Sequence, residues 1–141
     1  HKLLGRIHTG AKVHCVSFNP IAPHEFAAGC GDGSIQIWDI RQTRQVKRIV
    51  AHTRHVNSIH WHPERMNILA SGGSDGHIYV FNPQNAFDLE HKIKTDYGGI
   101  FSSCLFGMNY ACTGHKCGTV NIWDVTSGQV INSLLLNLKE R

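Results

Sequence analysis

The side chains in this 141-residue chain with the most chemistry to offer are histidine, serine, aspartate and cysteine, and their spacing suggests three kinds of site. His52, Ser71 and Asp75 bring together imidazole, hydroxyl and carboxylate, the groups a nucleophilic triad uses to draw a proton from an attacking serine. His60 and His62 stand two apart, so on a strand they share a face and could reach one metal ion. Cys112, His115 and Cys117 offer thiolate and imidazole, but zinc spacing needs ligand pairs from two places and only Cys104 lies nearby. The chain has no phosphate loop, nucleophile elbow, paired-carboxylate site or dinucleotide fingerprint.

The elements that must position these groups read as short strands. Residues 31–40, GDGSIQIWDI, run from a tight Asp32-Gly33 turn into an alternating segment that ends in Trp38 and Asp39. The pattern returns in SDGHIYVFNP (74–83) and KCGTVNIWDV (116–125), and the aligned aromatics Trp38, Phe81 and Trp123 are 43 and 42 residues apart. A fixed period of this size marks an array of similar units. Apolar residues alternate in each copy, Ile35 and Ile37, Ile78 and Val80, Val120 and Ile122, as on a strand with two different faces. A shorter apolar run precedes each turn, at 25–30, 67–73 and 109–114, and the Gly-bearing turn makes each pair a hairpin. Further runs at 13–20, 56–63 and 100–106 and at 45–50, 89–93 and 129–136 complete four strands per unit. Pro20 and Pro63 fall where a residue without an N–H can end a strand. Residues 2–7, KLLGRI, read as one stray strand, and no segment holds a helical period.

Four-stranded units at this spacing, with Trp-Asp closing the third strand, resemble the WD-repeat family of β-propellers. The resemblance implies an all-β fold of antiparallel four-stranded blades: residues 1–7 as the last strand of a preceding blade, blades at 8–50, 51–94 and 95–136, and a tail at 137–141. It also implies that the triad-like groups close blades instead of doing catalysis, because they recur by position in the repeat. In the family a His before the first strand, a Ser or Thr on the second, an Asp in the turn and the Trp of the third strand join by hydrogen bonds. Carried over, unit one has His8, Asp32 and Trp38, with Ala28 at the hydroxyl position. Unit two has His52, Ser71 and Asp75, with Phe81 for Trp and Asn82 for Asp. Unit three has Thr113 and Trp123, with Cys117 at the Asp position and no His before Ile100. No unit keeps all four, and unit three is expected to be the least rigid.

Three blades cannot close a ring, since closed propellers have roughly 4–8. Each end of the arc would leave an apolar face bare, and such faces usually mark interaction surfaces. Three arrangements would cover them: a larger propeller of which this is a part, a partner chain that supplies the other blades, or two copies in a six-bladed ring. A stray strand at 2–7 fits the first two.

Composition agrees with a globular protein: 41% hydrophobic and 17% charged residues, with no apolar run near the roughly 20 residues a membrane span needs. No signal peptide is visible, and residue 1 is His, as in an internal piece of a longer chain or one whose N-terminus was processed. Five scattered cysteines, Cys15, Cys30, Cys104, Cys112 and Cys117, do not make a disulfide framework, which points to the cytoplasm or nucleus. The net charge is +4, and Arg41, Arg44, Lys47, Arg48 and Arg54 cluster in one stretch. Without interleaved aromatics to stack bases, that stretch reads as a solvated outer strand, so nucleic acid is not an expected partner.

The resulting expectation is a non-catalytic protein–protein interaction scaffold in a multiprotein complex, with no metal, cofactor or catalytic residue. Binding is expected on rim loops held by the rigid blades, at Lys12, His14, Arg54, His55, Asn57, His115 and Lys116. Trp38, Asp39 and Arg41 supply an alternative: Trp-Asp-x-Arg resembles the box of WD-repeat substrate receptors that dock on cullin-RING ubiquitin ligase adaptors, and it looks equally like histone-binding, peroxisomal-import and nutrient-signalling WD-repeat proteins. The second Trp-Asp is followed by Val125-Thr126 and lacks that arginine.

Overall fold

The computed structural model describes residues 2–65, 68–82 and 88–135; the tail expected at 137–141 lies outside the described residues. Twelve strands form three separate antiparallel sheets. The first holds β1 (Val13–Phe18), β2 (Glu25–Cys30), β3 (Ser34–Asp39) and β4 (Arg44–Val50). The second holds β5 (Val56–Trp61), β6 (Leu69–Gly73), β7 (His77–Asn82) and β8 (Asp88–Lys94). The third holds β9 (Ile100–Phe106), β10 (Tyr110–His115), β11 (Thr119–Asp124) and β12 (Gln129–Leu135). Each strand pairs with its sequence neighbour in a meander. The all-β, four-stranded-blade expectation therefore holds. Each sheet also carries a bulge in the same place, before Trp38, Phe81 and Trp123, where an extra residue on the fourth strand increases the local twist.

The opening segment differs from expectation. Residues 2–9 form no strand. A strand exists only while a neighbour's N–H and C=O groups pair with it, and no described strand lies alongside this one. The segment instead lies against the first sheet, where Gln36 Nε2 donates to the Thr9 carbonyl at 2.9 Å.

Alternation sets the packing. On β7, Tyr79 and Phe81 face the first sheet and pack with Ala27, Ile35, Ile37, Val56 and Leu69. Ile78 and Val80, on the opposite face, pack with Ile93, Ile100, Leu105, Ala111 and Trp123 of the second and third sheets. The middle blade is thus buried on both faces, which is why its third strand is apolar at four successive positions. Contact between blades concentrates on the inner strands, β5 with β1 and β9, and the outer strands diverge. The outward faces of the end blades stay open. Val16 and Phe18 are 61% and 58% exposed on the first sheet, and Leu134 is 54% exposed on the third. Among the described residues no helix is long and apolar enough to cross a membrane.

Candidate protein-interaction rim

The histidine, serine and aspartate that resemble a triad meet in the second blade. His52 lies just ahead of β5, Ser71 on β6 and Asp75 in the β6–β7 turn. His52 Nδ1 lies 2.9 Å from Asp75 Oδ1, and Nε2 lies 2.8 Å from Ser71 Oγ. Nδ1–H donates to the ionised carboxylate, which leaves Nε2 to accept from the serine hydroxyl. Asp75 also accepts from the backbone N–H groups of Thr53 and His77. Burial lowers the His52 pKa below the usual histidine value, against the pull of Asp75. Burial pushes Asp75 up, but the hydrogen bonds from His52 and the Thr53 N–H outweigh it and the net shift is downward. The Tyr79 ring meets His52 edge-on at 4.6 Å. His52 is 3% and Ser71 0% exposed. A serine sealed in this way has no space beside it for a substrate, so the set ties a turn to two strands.

The other blades bond the tryptophan by different means. In the first, Ala28 has no hydroxyl, and Trp38 Nε1 donates instead to Gln36 Oε1 at 3.0 Å. With no hydroxyl to hold an imidazole, His8 is exposed, outside the set. Asp32 turns to its own hairpin, accepting from Ser34 N and Oγ at 2.9 and 2.6 Å, and pairs with Arg48 at 2.9 Å. In the third blade, Trp123 Nε1 donates to Thr113 Oγ1 at 2.8 Å, and that hydroxyl meets His115 Nε2 at 2.9 Å. His115 therefore supplies the imidazole that no residue before Ile100 could. It is only 7% exposed, which removes it from the rim surface on which it was expected. Burial lowers its pKa, partly offset by the backbone of Gly98 and Gly99 beside the ring. Cys117, at the Asp position, bonds to Thr119 Oγ1 at 3.1 Å.

The Asp of Trp-Asp has a separate task. Asp39 Oδ1 accepts from Arg41 N at 2.9 Å, and Asp124 Oδ1 accepts from Thr126 N at 2.9 Å, so each caps the turn that leaves the third strand. Arg41 folds back onto Asp39, with Nε to Oδ1 at 3.2 Å and a terminal nitrogen to Oδ2 at 2.9 Å. This guanidinium lowers the Asp39 pKa to about 2. The Arg41 side chain remains 61% exposed.

At the opposite edge the hairpin turns of the first two blades lock onto the start of the next, the second through Thr95 N donating to the Gly76 carbonyl. The Gly31 carbonyl meets His55 Nδ1 of the second blade at 2.8 Å, while within the first blade the Gly31 N–H donates to the Lys12 carbonyl. His52 N donates to the Gly33 carbonyl. The His14 and His55 rings stack at 5.0 Å. Asn57, half-buried, donates to Ser74 Oγ at 2.8 Å and to the Ile100 carbonyl at 2.9 Å, bridging the second and third blades. Lys12, His14, Arg54, His55 and Lys116 are exposed. The rim is thus a row of basic and imidazole side chains on a cross-braced base.

The metal candidates are placed elsewhere. His62 follows β5 and is 3% exposed. Its Nε2 meets the Gly107 carbonyl at 2.6 Å, and its Nδ1 accepts from Glu64 N and Arg65 N. Both nitrogens are therefore occupied. Cys112 faces outward on β10, away from His115, with its thiol pKa raised by burial. No cluster of three or more metal-ligating side chains occurs among the described residues. Sequence reasoning named His62 only as a metal candidate and missed its turn-capping role, and it missed Gln36 and the capping Asn19. The signal for Asn19 was its repeat position: Asn19-Pro20 and His62-Pro63 are 43 residues apart, and Asn19 Oδ1 accepts from Ile21 N and Ala22 N as His62 does from its own turn.

A family model described as "WD domain, G-beta repeat" matches residues 2–39 and 43–82. The coronin-like protein of Saccharomyces cerevisiae is 26% identical over 147 residues, covering 92% of this chain and 22% of the relative. Human nucleoporin Nup43 is 36% identical over 98 residues, covering 67% of this chain and 25% of the relative. The nuclear distribution protein PAC1 of Gibberella zeae is 28% identical over 133 residues, with coverages of 86% and 28%. A solved structure described as "Crystal structure of RRP9 WD40 repeats" aligns with a TM-score of 0.81 at 17% identity, covering 94% of this chain and 41% of that one. The chain spans about a quarter of the length of these curated relatives.

Proposed function

We propose, from the premise that this chain belongs to the WD domain, G-beta repeat family, that it is a non-catalytic scaffold holding protein partners in a multiprotein complex. The observation that carries this reading is the rim. Its backbone is fixed by bonds that cross from one blade to the next, while Lys12, His14, Arg54, His55 and Lys116 project from it exposed. A rigid base lowers the entropy cost of ordering an interface, and cationic groups favour acidic partner surfaces. The triad-like groups are used up inside the blades, which supports a binding role over a chemical one. The open faces at Val16 and Phe18 and at Leu134 are where further blades, from the same chain or a partner, would pack.

The test is charge reversal at Lys12, Arg54 and Lys116 together in the full-length protein. Partners recovered by crosslinking should be lost while the melting temperature holds. Retention of every partner overturns the rim assignment. The ligase-adaptor reading rests on Arg41, whose exposed guanidinium is already committed to Asp39. Substitution Arg41→Ala should abolish co-purification of a cullin-RING adaptor if that reading is right; unchanged recovery, or none from the wild type, ends it.

A further inference from the structure

We propose that the slot between the outer strands of the first and second blades binds an acidic peptide segment carrying one large apolar side chain. The slot follows from the way the blades pack. Inner strands of neighbouring blades meet and outer strands splay, which leaves an opening of about 350 Å³ lined by Ile49, Val50, Ala51, Tyr79, Phe81, Leu89 and Lys92. Tyr79 and Phe81 form the floor; they stack on each other at 6.1 Å and are 6% and 3% exposed. Leu89, which pairs with Phe81, is 46% exposed at the wall, and Ile49 is half-buried opposite it. That volume accepts one aromatic or leucine side chain, and filling it covers apolar surface now in water.

Charge selects the occupant. Strand register decides which basic residues face the slot. Lys92 pairs with Tyr79 and lines the slot, and Lys47 pairs with Ile37, which puts it on the slot-side face of β4 two residues from the lining Ile49. Arg48, one residue along, turns to the other face and pairs with Asp32. The Lys92 ammonium rests 5.4 Å from the centre of the Tyr79 ring, over the floor. Glu90, the acid nearest on β8, is drawn to Arg65 at 3.7 Å. Among the described residues no carboxylate pairs with Lys47 or Lys92. An apolar floor beside cations that lack a carboxylate partner suits a segment that is apolar at its centre and acidic at its flanks. Nucleic acid fits poorly, because the two rings lie too deep for bases to stack on their faces.

This inference rests on the scaffold reading but uses a surface apart from the rim, so the two fail separately. The experiment is fluorescence anisotropy with the full chain and a labelled peptide that has three acidic residues on each side of a single phenylalanine. Controls are the same peptide with alanine at the centre, a lysine-flanked version and a uridine-rich RNA. Saturable binding of the acidic phenylalanine peptide is expected, with weaker binding of the alanine control and none of the lysine version. Substitutions Lys47→Glu and Lys92→Glu should each weaken binding about fivefold, and Leu89→Asp should abolish it. All three positions are exposed, and an unchanged melting temperature shows that the fold survives. The rim variant should bind this peptide normally. No binding by the wild type overturns the proposal, as do equal binding by the lysine-reversed variants and preferential binding of the RNA.

Discussion

Trp38 Nε1 donates to Gln36 Oε1 at 3.0 Å across two residues of a single strand. Both side chains point away from the second blade, and Ala28 lies opposite Gln36 in the register. The amide therefore does the work of the hydroxyl that Ala28 lacks, and its other end reaches Thr9. Substitution Gln36→Leu would keep the bulk and lose both bonds. We expect a loss of about 1–2 kcal/mol in urea unfolding, together with faster tryptic cleavage after Arg6 as the opening segment detaches.

In the third blade, Thr113 serves two partners, Trp123 and His115. In the second, Ser71 serves His52. Thr113→Val keeps the shape and strands two buried groups, so its cost should be about 2–4 kcal/mol. Ser71→Ala strands one and should cost about half of that. Denaturant midpoints for the two variants check the order; equal losses would count against His115 as a second partner.

The buried imidazole of the second blade makes stability depend on pH. His52 has its pKa lowered in the folded protein, so near neutrality the folded state carries fewer protons there than the unfolded one. Its contribution is present above the unfolded histidine value of about 6.5 and is lost as pH falls below it. Asp75, also lowered, adds a loss as pH falls below the unfolded aspartate value of about 3.9. Urea midpoints should therefore drop between pH 7.5 and 5.5. His52→Gln should be less stable at pH 7.5 yet fall less across that interval, with some slope remaining from His60 and His115, which are shifted the same way by burial.

Two glycines of the same backbone handedness separate strain from crowding. Gly33 and Gly98 have φ of 86° and 76°. A Cβ on Gly33 would run into the backbone carbonyl of His52, but one on Gly98 meets nothing within 4 Å. Gly98→Ala should cost about 1–2 kcal/mol for the left-handed conformation alone. Gly33→Ala should cost more than about 3 kcal/mol, because the hairpin of the first blade would be pushed off the start of the second. Thermal melts of the pair measure the difference.

Much of this architecture was readable in the sequence by itself. Period-2 alternation and the spacing of Trp38, Phe81 and Trp123 determined the strands, their grouping in fours and the hairpin turns, because side chains on a pleated strand must alternate between faces and turns need their glycines. The polar groups were legible as types but not as partners. Position in the repeat nominated His8 for the first blade and no imidazole for the third; the folded chain leaves His8 exposed and brings in His115, which sits two residues along the same strand from Thr113. Such choices depend on which side chain reaches the donor once neighbouring strands are in register, and spacing along the chain does not encode that distance. The slot beside Lys47 and Lys92 was equally invisible, since a linear run of basic residues does not say which of them face the space between two blades. Strand order and blade count come from local periodicity, whereas the hydrogen-bond partners and the shape of the inter-blade surface are decided only when separate blades pack.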